Sequence, residues 1–404
     1  MKVRVGMGLL LCCALPLQAA NFVLVDTAQG LDVGNWKVSS DSLGIKSKIP
    51  FSIEKKRLHG GRQEGVDVIV VDNGTLQMTL VPTRGMGIYE VRGGDLRLGW
   101  ESPVKEIVNP AFIDLESRGG LGWLDGFNEM LVRCGYEWTG HPGVDDDGRL
   151  KSLHGRVQNT PASVVRVTVD ETPPYAIHVR GRVDEKTFKF SDLSTWTGVT
   201  LVPGEAAFTV EDKLTNQADY DNEYQIIYHG NFGAPLLEEG ARISAPVKQI
   251  SPFNDYARKG LDSWQTYLGP TKGFDEMVFN IVPYSDAKGN TLAVLENRAG
   301  NAGVAVDFNV KQLPVLTLWK NTDTLQQGYV TGIEPGTSYA YSTKYQRPLG
   351  LVPTIKAGES KYFTLRYQLL RDKGEVQAAL DRVKAVQGSQ PTELRRDPLV
   401  QLPH

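Results

Sequence analysis

The stretch Val66-Asp67-Val68-Ile69-Val70-Val71, Asp72-Asn73-Gly74-Thr75, Leu76-Gln77-Met78-Thr79-Leu80-Val81 decides the fold class. Two short apolar runs with partial alternation flank an Asn-Gly pair, which accepts the left-handed backbone of a tight hairpin turn. It reads as two antiparallel strands. Similar segments recur at residues 163–169, 175–183, 198–202, 207–214, 291–296, 303–308, 315–319 and 362–370. The 42 glycines and 22 prolines supply turns between them. Many short strands with few helical patterns predict an all-β sandwich or barrel. The exception is near the end, where Val376, Ala379, Leu380, Val383 and Val386 repeat with helical period and Gly388 offers a C-terminal cap.

The ends of the chain read differently. Residues 1–20 have a short basic start, an apolar run and a small-residue finish at Ala19-Ala20, the pattern of a secretory signal. The run is too short for a stable membrane anchor. The expectation is export to the periplasm or beyond, with no membrane anchor after cleavage. Residues 21–59 show no clear period and read as an N-terminal extension on a main domain at 60–370. Residues 371–404 read as a helix followed by a loosely attached tail.

Composition excludes several classes. With 404 residues, 41% hydrophobic and a net charge of −3, the chain can bury a large core and lacks the basic excess of a nucleic-acid binder. Cys12 and Cys13 fall in the signal, so Cys134 has no partner for an internal disulfide and reads as a small buried hydrophobe. His59, His141, His154, His178 and His229 show no zinc spacing, and Asp145-Asp146-Asp147-Gly148 lacks the ligand pattern of a calcium loop. Gly85 and Gly87 lack the rest of a dinucleotide fingerprint. No cofactor and no metal are expected; the oligomeric state is left open.

What remains are polar residues in turns bounded by glycine or proline. Arg84 lies in Pro82-Thr83-Arg84-Gly85-Met86-Gly87, and His154 and Arg156 straddle Gly155. His229 and Asn231 sit where the strand-like run 224–228 meets Gly-Asn-Phe-Gly, and Glu334 precedes Pro335, which favours extended backbone. Loops on a rigid β scaffold commonly carry function. Any one of these residues alone is as readily a solvated surface group.

Taken in order, the strings around Arg84, Gly119-Gly120-Leu121-Gly122-Trp123-Leu124, Arg133-Cys134-Gly135, Leu153-His154-Gly155-Arg156, Tyr228-His229-Gly230-Asn231-Phe232-Gly233 and Gly332-Ile333-Glu334-Pro335-Gly336-Thr337 resemble the aldose 1-epimerase (galactose mutarotase-like) superfamily. The nearest likeness is to a poorly characterised branch known as a domain of unknown function. The resemblance spans roughly residues 60–370. It implies a β-supersandwich with a few short helices and a small-molecule carbohydrate substrate. It implies His229 as general acid and Glu334 as general base. It also implies His154 and Arg84 as ligands for sugar hydroxyls, Asn231 beside them, and Asp307 as the carboxylate that grips the substrate between acid and base.

Arg133 and Arg156 are additional to the common pattern. With Arg84 they suggest an acidic or modified sugar, since guanidinium groups hold carboxylate, sulfate or sulfonate in bidentate fashion. Trp123, Phe127, Trp138, Tyr228 and Phe232 are the aromatics expected to stack on a pyranose. Exchange of sugar anomers needs only an acid and a base, without metal or nucleotide. Two other classes stay open: a non-catalytic carbohydrate-binding protein, and a lyase or glycoside hydrolase on the same fold.

Overall fold

The Asn73-Gly74 turn joins the strands Asp67–Asp72 and Gln77–Val81, which pair antiparallel with Val71 opposite Met78. Gly74 takes φ +83°, where a side chain would be strained. The buried Asn73 carboxamide accepts from the N–H groups of Thr75 (3.0 Å) and Leu76 (2.7 Å) and donates to the carbonyls of Val202 (2.7 Å) and Glu205 (3.0 Å). The turn is therefore also a tie to the opposite sheet.

A computed structural model of the chain describes residues 19–402. The expected signal, residues 1–20, lies outside them except for Ala19 and Ala20. The chain forms two large sheets in the galactose mutarotase-like arrangement. One has ten strands, running from Arg242–Ser244 through Asn290–Glu296, Gly303–Asn309, Ser360–Leu370, Ala207–Asn216, Asp192–Leu201, Ile177–Lys186 and Val164–Asp170 to Ala19–Asp26 and Leu31–Asp32. The other has thirteen, and its middle runs Met277–Pro283, Val315–Asn321, Val330–Gly336, Gln225–Phe232, Leu131–Tyr136, Gly87–Gly93. The main core lies between the sheets and is filled by the inward half of each strand, among them Leu131, Ile226, Tyr228, Leu316, Leu318 and Ile333 from the thirteen-stranded sheet and Val199, Val210, Val306 and Leu365 from the ten-stranded one. Because side chains alternate across a strand, the other half of the thirteen-stranded sheet faces outward. There Trp100, Trp123, Phe127, Val132, Cys134, Leu153, Ile227 and Val330 make a second, smaller apolar cluster.

The helix expected near the C-terminus spans Lys373–Gln387, opened by the Asp372 side chain accepting from the Glu375 N–H (2.8 Å). It packs Val376, Ala379 and Val383 against Leu292 and Val294 on the outside of the ten-stranded sheet. Each valine or leucine so removed from water contributes roughly 1.5–3 kcal/mol, and Ala379 less.

Residues 21–59 are woven into the body. Ala19–Asp26 pairs with Val164–Asp170 in one sheet, and Ser52–Arg57 pairs with Asp67–Asp72 in the other. The tail differs from its expectation: Glu393–Leu394 pairs parallel with Val247–Pro252, and Leu399, Val400 and Leu402 pack by Phe253 and Tyr341. Low apolar content hid these few well-placed contacts. Among the described residues, no helix is long and apolar enough to cross a membrane.

Candidate functional site

Strand parity builds the site. In Gln225–Phe232, Ile226 and Tyr228 point between the sheets, so Ile227 and His229 point outward. Gly230 pairs with Ile333 and Asn231 with Gly332, which sets His229 directly opposite Glu334 on the neighbouring strand. Directly opposed residues bring their Cβ atoms to about 4.5–5.5 Å. His229 Nε2 lies 3.2 Å from Glu334 Oε1, with both side chains buried. The two are close but not aligned as a hydrogen bond, and Glu334 Oε1 and His229 Nδ1 have no partner. Thr317, opposite Glu334 on the next strand, also keeps a buried hydroxyl without a partner. Unpaired buried polar groups cost free energy, and a row of them facing a cavity marks where a ligand supplies the missing bonds.

The walls are aromatic. Phe127 and Trp319 meet the His229 ring edge-on, each with centroids 5.5 Å away, and Trp123 stands 6.3 Å away. The His154 ring lies 5.3 Å from His229, nearly perpendicular, and 4.9 Å from Trp123. His154 is held in left-handed backbone (φ +58°), a conformation that costs a non-glycine residue about 1–3 kcal/mol. Two backbone bonds impose it: His154 N–H donates to Gly140 (2.9 Å) and its carbonyl accepts from Gly135 (3.0 Å). The next residue must be glycine, since a Cβ at Gly155 would lie 2.4 Å from the carbonyl oxygens of both Gly135 and Trp138.

Together these residues enclose a cavity of about 140 Å³, completed by Glu276, His141, Val278 and Ala340. Trp319 Nε1 donates to Glu276 Oε2 (2.9 Å), and His141 Nε2 lies 4.0 Å from Glu276 Oε1. Among the described residues, no Lys or Arg lines it. A larger open groove of about 720 Å³ lies between the C-terminal helix and the ten-stranded sheet, but it has no histidine and no comparable acid–base pair. The smaller cavity is the one with chemistry.

Burial dominates the electrostatics. It pulls the His229 imidazole down to about 4 and takes His154 well below the usual histidine range, with His229 and His141 adding to the effect on His154. Burial pushes Glu334 well above the carboxylate range, helped by the Glu276 charge. Glu276 is itself raised by burial, opposed by the Trp319 hydrogen bond. Burial thus disfavours the charged forms of His154, His229 and Glu334 alike. Among the described residues, no group of three or more His, Cys, Asp or Glu is arranged to hold a metal ion.

The structure brings His154, His229 and Glu334 to one cavity and sends the other expected ligands elsewhere. Arg133 pairs across the strands with Tyr228, so parity turns it inward, where it grips Asp212 through Nε (2.6 Å) and Nη2 (3.0 Å). Arg84 is buried against Glu129 (2.5 Å), Asn159 (2.9 Å) and the carbonyls of Val108 and Gly126. Arg156 stacks 4.7 Å over the Trp138 ring, outside the cavity. Asp307 belongs to the other sheet and pairs with Arg382 of the C-terminal helix. Asn231 donates to the carbonyls of Glu129 (3.0 Å) and His229 (3.2 Å), holding the strand instead of lining the cavity. Of the expected aromatics, Trp123 and Phe127 line it, while Tyr228 and Phe232 fill the main core and Trp138 stands behind. Burial and ion pairing thus take Arg84 and Arg133 away from the cavity, Arg156 lies outside its lining, and sheet membership places Asp307 elsewhere.

Sequence reasoning passed over Glu276, Trp319, Thr317 and the role of His141. Glu276 directly precedes the strand Met277–Pro283, and the largely apolar run that begins there was the available signal.

The model of a family described as a domain of unknown function (DUF4432) matches residues 63–369. A solved structure of a candidate aldose 1-epimerase from Klebsiella pneumoniae subsp. pneumoniae is 53% identical, covers 95% of this chain and 100% of its own, and superposes with a TM-score of 0.93. A galactose mutarotase-like protein from Clostridium acetobutylicum shares the fold at 14% identity, with 79% and 98% of the two chains covered and a TM-score of 0.54. A galactose mutarotase related enzyme from Lactobacillus acidophilus does so at 12% identity, 76% and 98% coverage and a TM-score of 0.50. No curated protein matches the chain.

Proposed function

Because the chain belongs to the DUF4432 branch of the aldose 1-epimerase (galactose mutarotase-like) superfamily, we propose that it is an exported isomerase that interconverts the anomers of an uncharged monosaccharide. The observation that carries this reading is the buried cross-strand pair His229–Glu334 in an aromatic-walled cavity. Export rests on residues 1–20 alone.

Anomer exchange needs a proton taken from the anomeric hydroxyl and a proton given to the ring oxygen. The C1–O5 bond then breaks, the open-chain aldehyde turns about C1–C2, and O5 attacks the other face as the protons return. Glu334 is the base and His229 the acid. Each works best with its pKa near the working pH, and a sugar whose hydroxyls bond the carboxylate offsets the burial that disfavours its charged form. Trp123, Phe127 and Trp319 offer apolar faces to a sugar ring and exclude water from the aldehyde. Glu276 takes the substrate-gripping role expected of Asp307.

The substrate is uncharged because the acidic side chains Glu276 and Glu334 line the cavity and, among the described residues, no Lys or Arg is there to offset an acidic sugar. NMR exchange spectroscopy on the purified protein tests the reading. Faster α/β exchange of neutral aldoses, with little effect on uronic or sulfonated analogues, is expected. Calorimetric binding without exchange would make the protein a sugar-binding module, and cleavage of oligosaccharides would make it a hydrolase or lyase.

The pair fixes a pH profile. His229, drawn down to about 4, accepts a second proton only in acid; Glu334, raised well above the carboxylate range, loses the pair's last proton only well above it. The one-proton state between them is the active one, whichever partner holds the proton. The kcat/KM for exchange is expected to fall as pH drops toward about 4, and to fall again as pH rises through the raised Glu334 value. A rate independent of pH, after subtraction of the spontaneous reaction, contradicts this assignment.

Gly332 supplies a third check. A Cβ there would lie 2.2 Å from Glu334 Oε1 and 3.2 Å from His229 Cε1, so Gly332→Ala must push the carboxylate aside. Misplacement by about 1 Å costs on the order of 10²-fold in rate. The variant is expected to lose about that much kcat with an unchanged unfolding midpoint; full activity would show that the carboxylate needs no fixed position.

A further inference from the structure

His141 has no part in the acid–base step, yet it is built into the same cavity. The side chain is 36% exposed, but its Nε2 is shielded and has no hydrogen-bond partner. The ring is fixed edge-on to Phe253 with centroids 4.9 Å apart. Its backbone N–H donates to Ala340 (2.7 Å), beyond the strand that carries Glu334. The preceding residue has to be glycine: Gly140 sits at φ +90°, and a Cβ there would lie 2.2 Å from the Tyr341 carbonyl oxygen. The Gly140 carbonyl in turn receives the N–H of His154. Several constraints thus hold an unpartnered imidazole nitrogen at one spot on the cavity wall.

Across from it is Glu276 Oε1, 4.0 Å away, while the other carboxylate oxygen is held by Trp319 Nε1. That spacing is too long for a direct hydrogen bond and suits one inserted oxygen. A hydroxyl about 2.8 Å from each atom fits in a roughly right-angled bridge, accepting from Nε2–H and donating to Oε1. The groups match a hydroxyl and not a charge. Burial lowers the His141 pKa and so keeps the ring neutral, and a carboxylate repels an anion.

We infer that His141 and Glu276 form a two-point reader for a single non-anomeric hydroxyl of the sugar, which makes His141 a specificity-determining residue. This rests on the monosaccharide reading above. With the anomeric centre at His229–Glu334, the reader meets a hydroxyl elsewhere on the sugar ring. A sugar lacking this hydroxyl, or bearing it in the other configuration, leaves both groups unpaired. Discrimination rests on His141 Nε2, which is shielded from water and loses its partner, whereas the Glu276 side chain, 44% exposed, stays solvated.

The experiment pairs a series of monodeoxy aldoses with wild-type protein, His141→Phe and Glu276→Gln. It reads kcat and KM by NMR anomer exchange and Kd by calorimetry. One monodeoxy analogue is expected to lose about tenfold or more in kcat/KM with wild-type protein, as a hydrogen bond to a charged group predicts. His141→Phe should impose a similar loss on the parent sugar, mainly in KM, and little further loss on that one analogue. The inference is overturned if His141→Phe penalises every analogue equally, or if it lowers kcat and leaves KM alone. Should His141→Phe fail to fold, His141→Gln and Glu276→Gln carry the same comparison. Coupled binding losses without anomer exchange would sink the isomerase reading and keep the reader; exchange without coupling would do the reverse.

Discussion

Glu334→Gln is expected to lower kcat for anomer exchange by about 10²–10⁴-fold, the usual contribution of a positioned acid or base. The amide keeps the shape of the side chain and removes the proton acceptor beside His229, 3.2 Å away. Sugar affinity should change far less, because the aromatic walls and Glu276 remain. His229→Gln should cost a similar amount, and the double variant little more than either single one, since the two groups act as a unit. Stability should move in the opposite direction. A buried carboxyl with an unpartnered Oε1 burdens the fold, so Glu334→Gln is expected to raise the unfolding midpoint while it abolishes turnover. Retention of exchange within about tenfold of wild type would remove Glu334 from the mechanism and favour the binding-module alternative.

The second large effect falls on stability. Arg133→Met is expected to cost about 3–5 kcal/mol, because it leaves the Asp212 carboxylate buried without its ion pair. Asp212 receives three hydrogen bonds between the sheets: two from Arg133, at 2.6 and 3.0 Å, and one from the Tyr228 hydroxyl at 2.8 Å. Replacing both charges, Arg133→Met with Asp212→Leu, should restore most of the loss, since a well-packed apolar pair often equals a buried salt bridge. Adding Tyr228→Phe should restore more by removing the orphaned hydroxyl. Urea unfolding midpoints check the series. An Arg133→Met variant with a wild-type midpoint and lost affinity for acidic sugars would return Arg133 to the substrate.

Both predictions turn on which face of a strand a residue occupies, and that is where reading the chain alone reached its limit. The hairpin at Asn73-Gly74, the recurring strands and the terminal helix were legible because each is a local pattern: a turn pair, an alternation, a helical repeat with a glycine cap. The resemblance carried His154, His229 and Glu334, each flanked by glycine or proline in a recognisable string. Arg133 shows what local pattern leaves undecided. It is three residues from Tyr136 in a fully buried strand, Leu131–Tyr136, where no polar alternation betrays which face is which. Its inward direction follows only from its register opposite Tyr228. Asp307 shows the same limit at larger scale. It lies between His229 and Glu334 in sequence, but its strand pairs into the ten-stranded sheet.

By itself, then, the sequence determined that the chain is a β-sandwich of this superfamily and singled out His229 and Glu334, because turn chemistry, periodicity and local strings are written in neighbouring residues. The tertiary structure alone decided that Arg84 and Arg133 are internal struts, that Glu276, Trp319 and His141 complete the cavity, and that among the described residues no Lys or Arg lines it. Those facts depend on strand register and sheet membership. Both are set by the summed packing of residues far apart in the chain, where a shift of one position reverses every side chain from core to cavity.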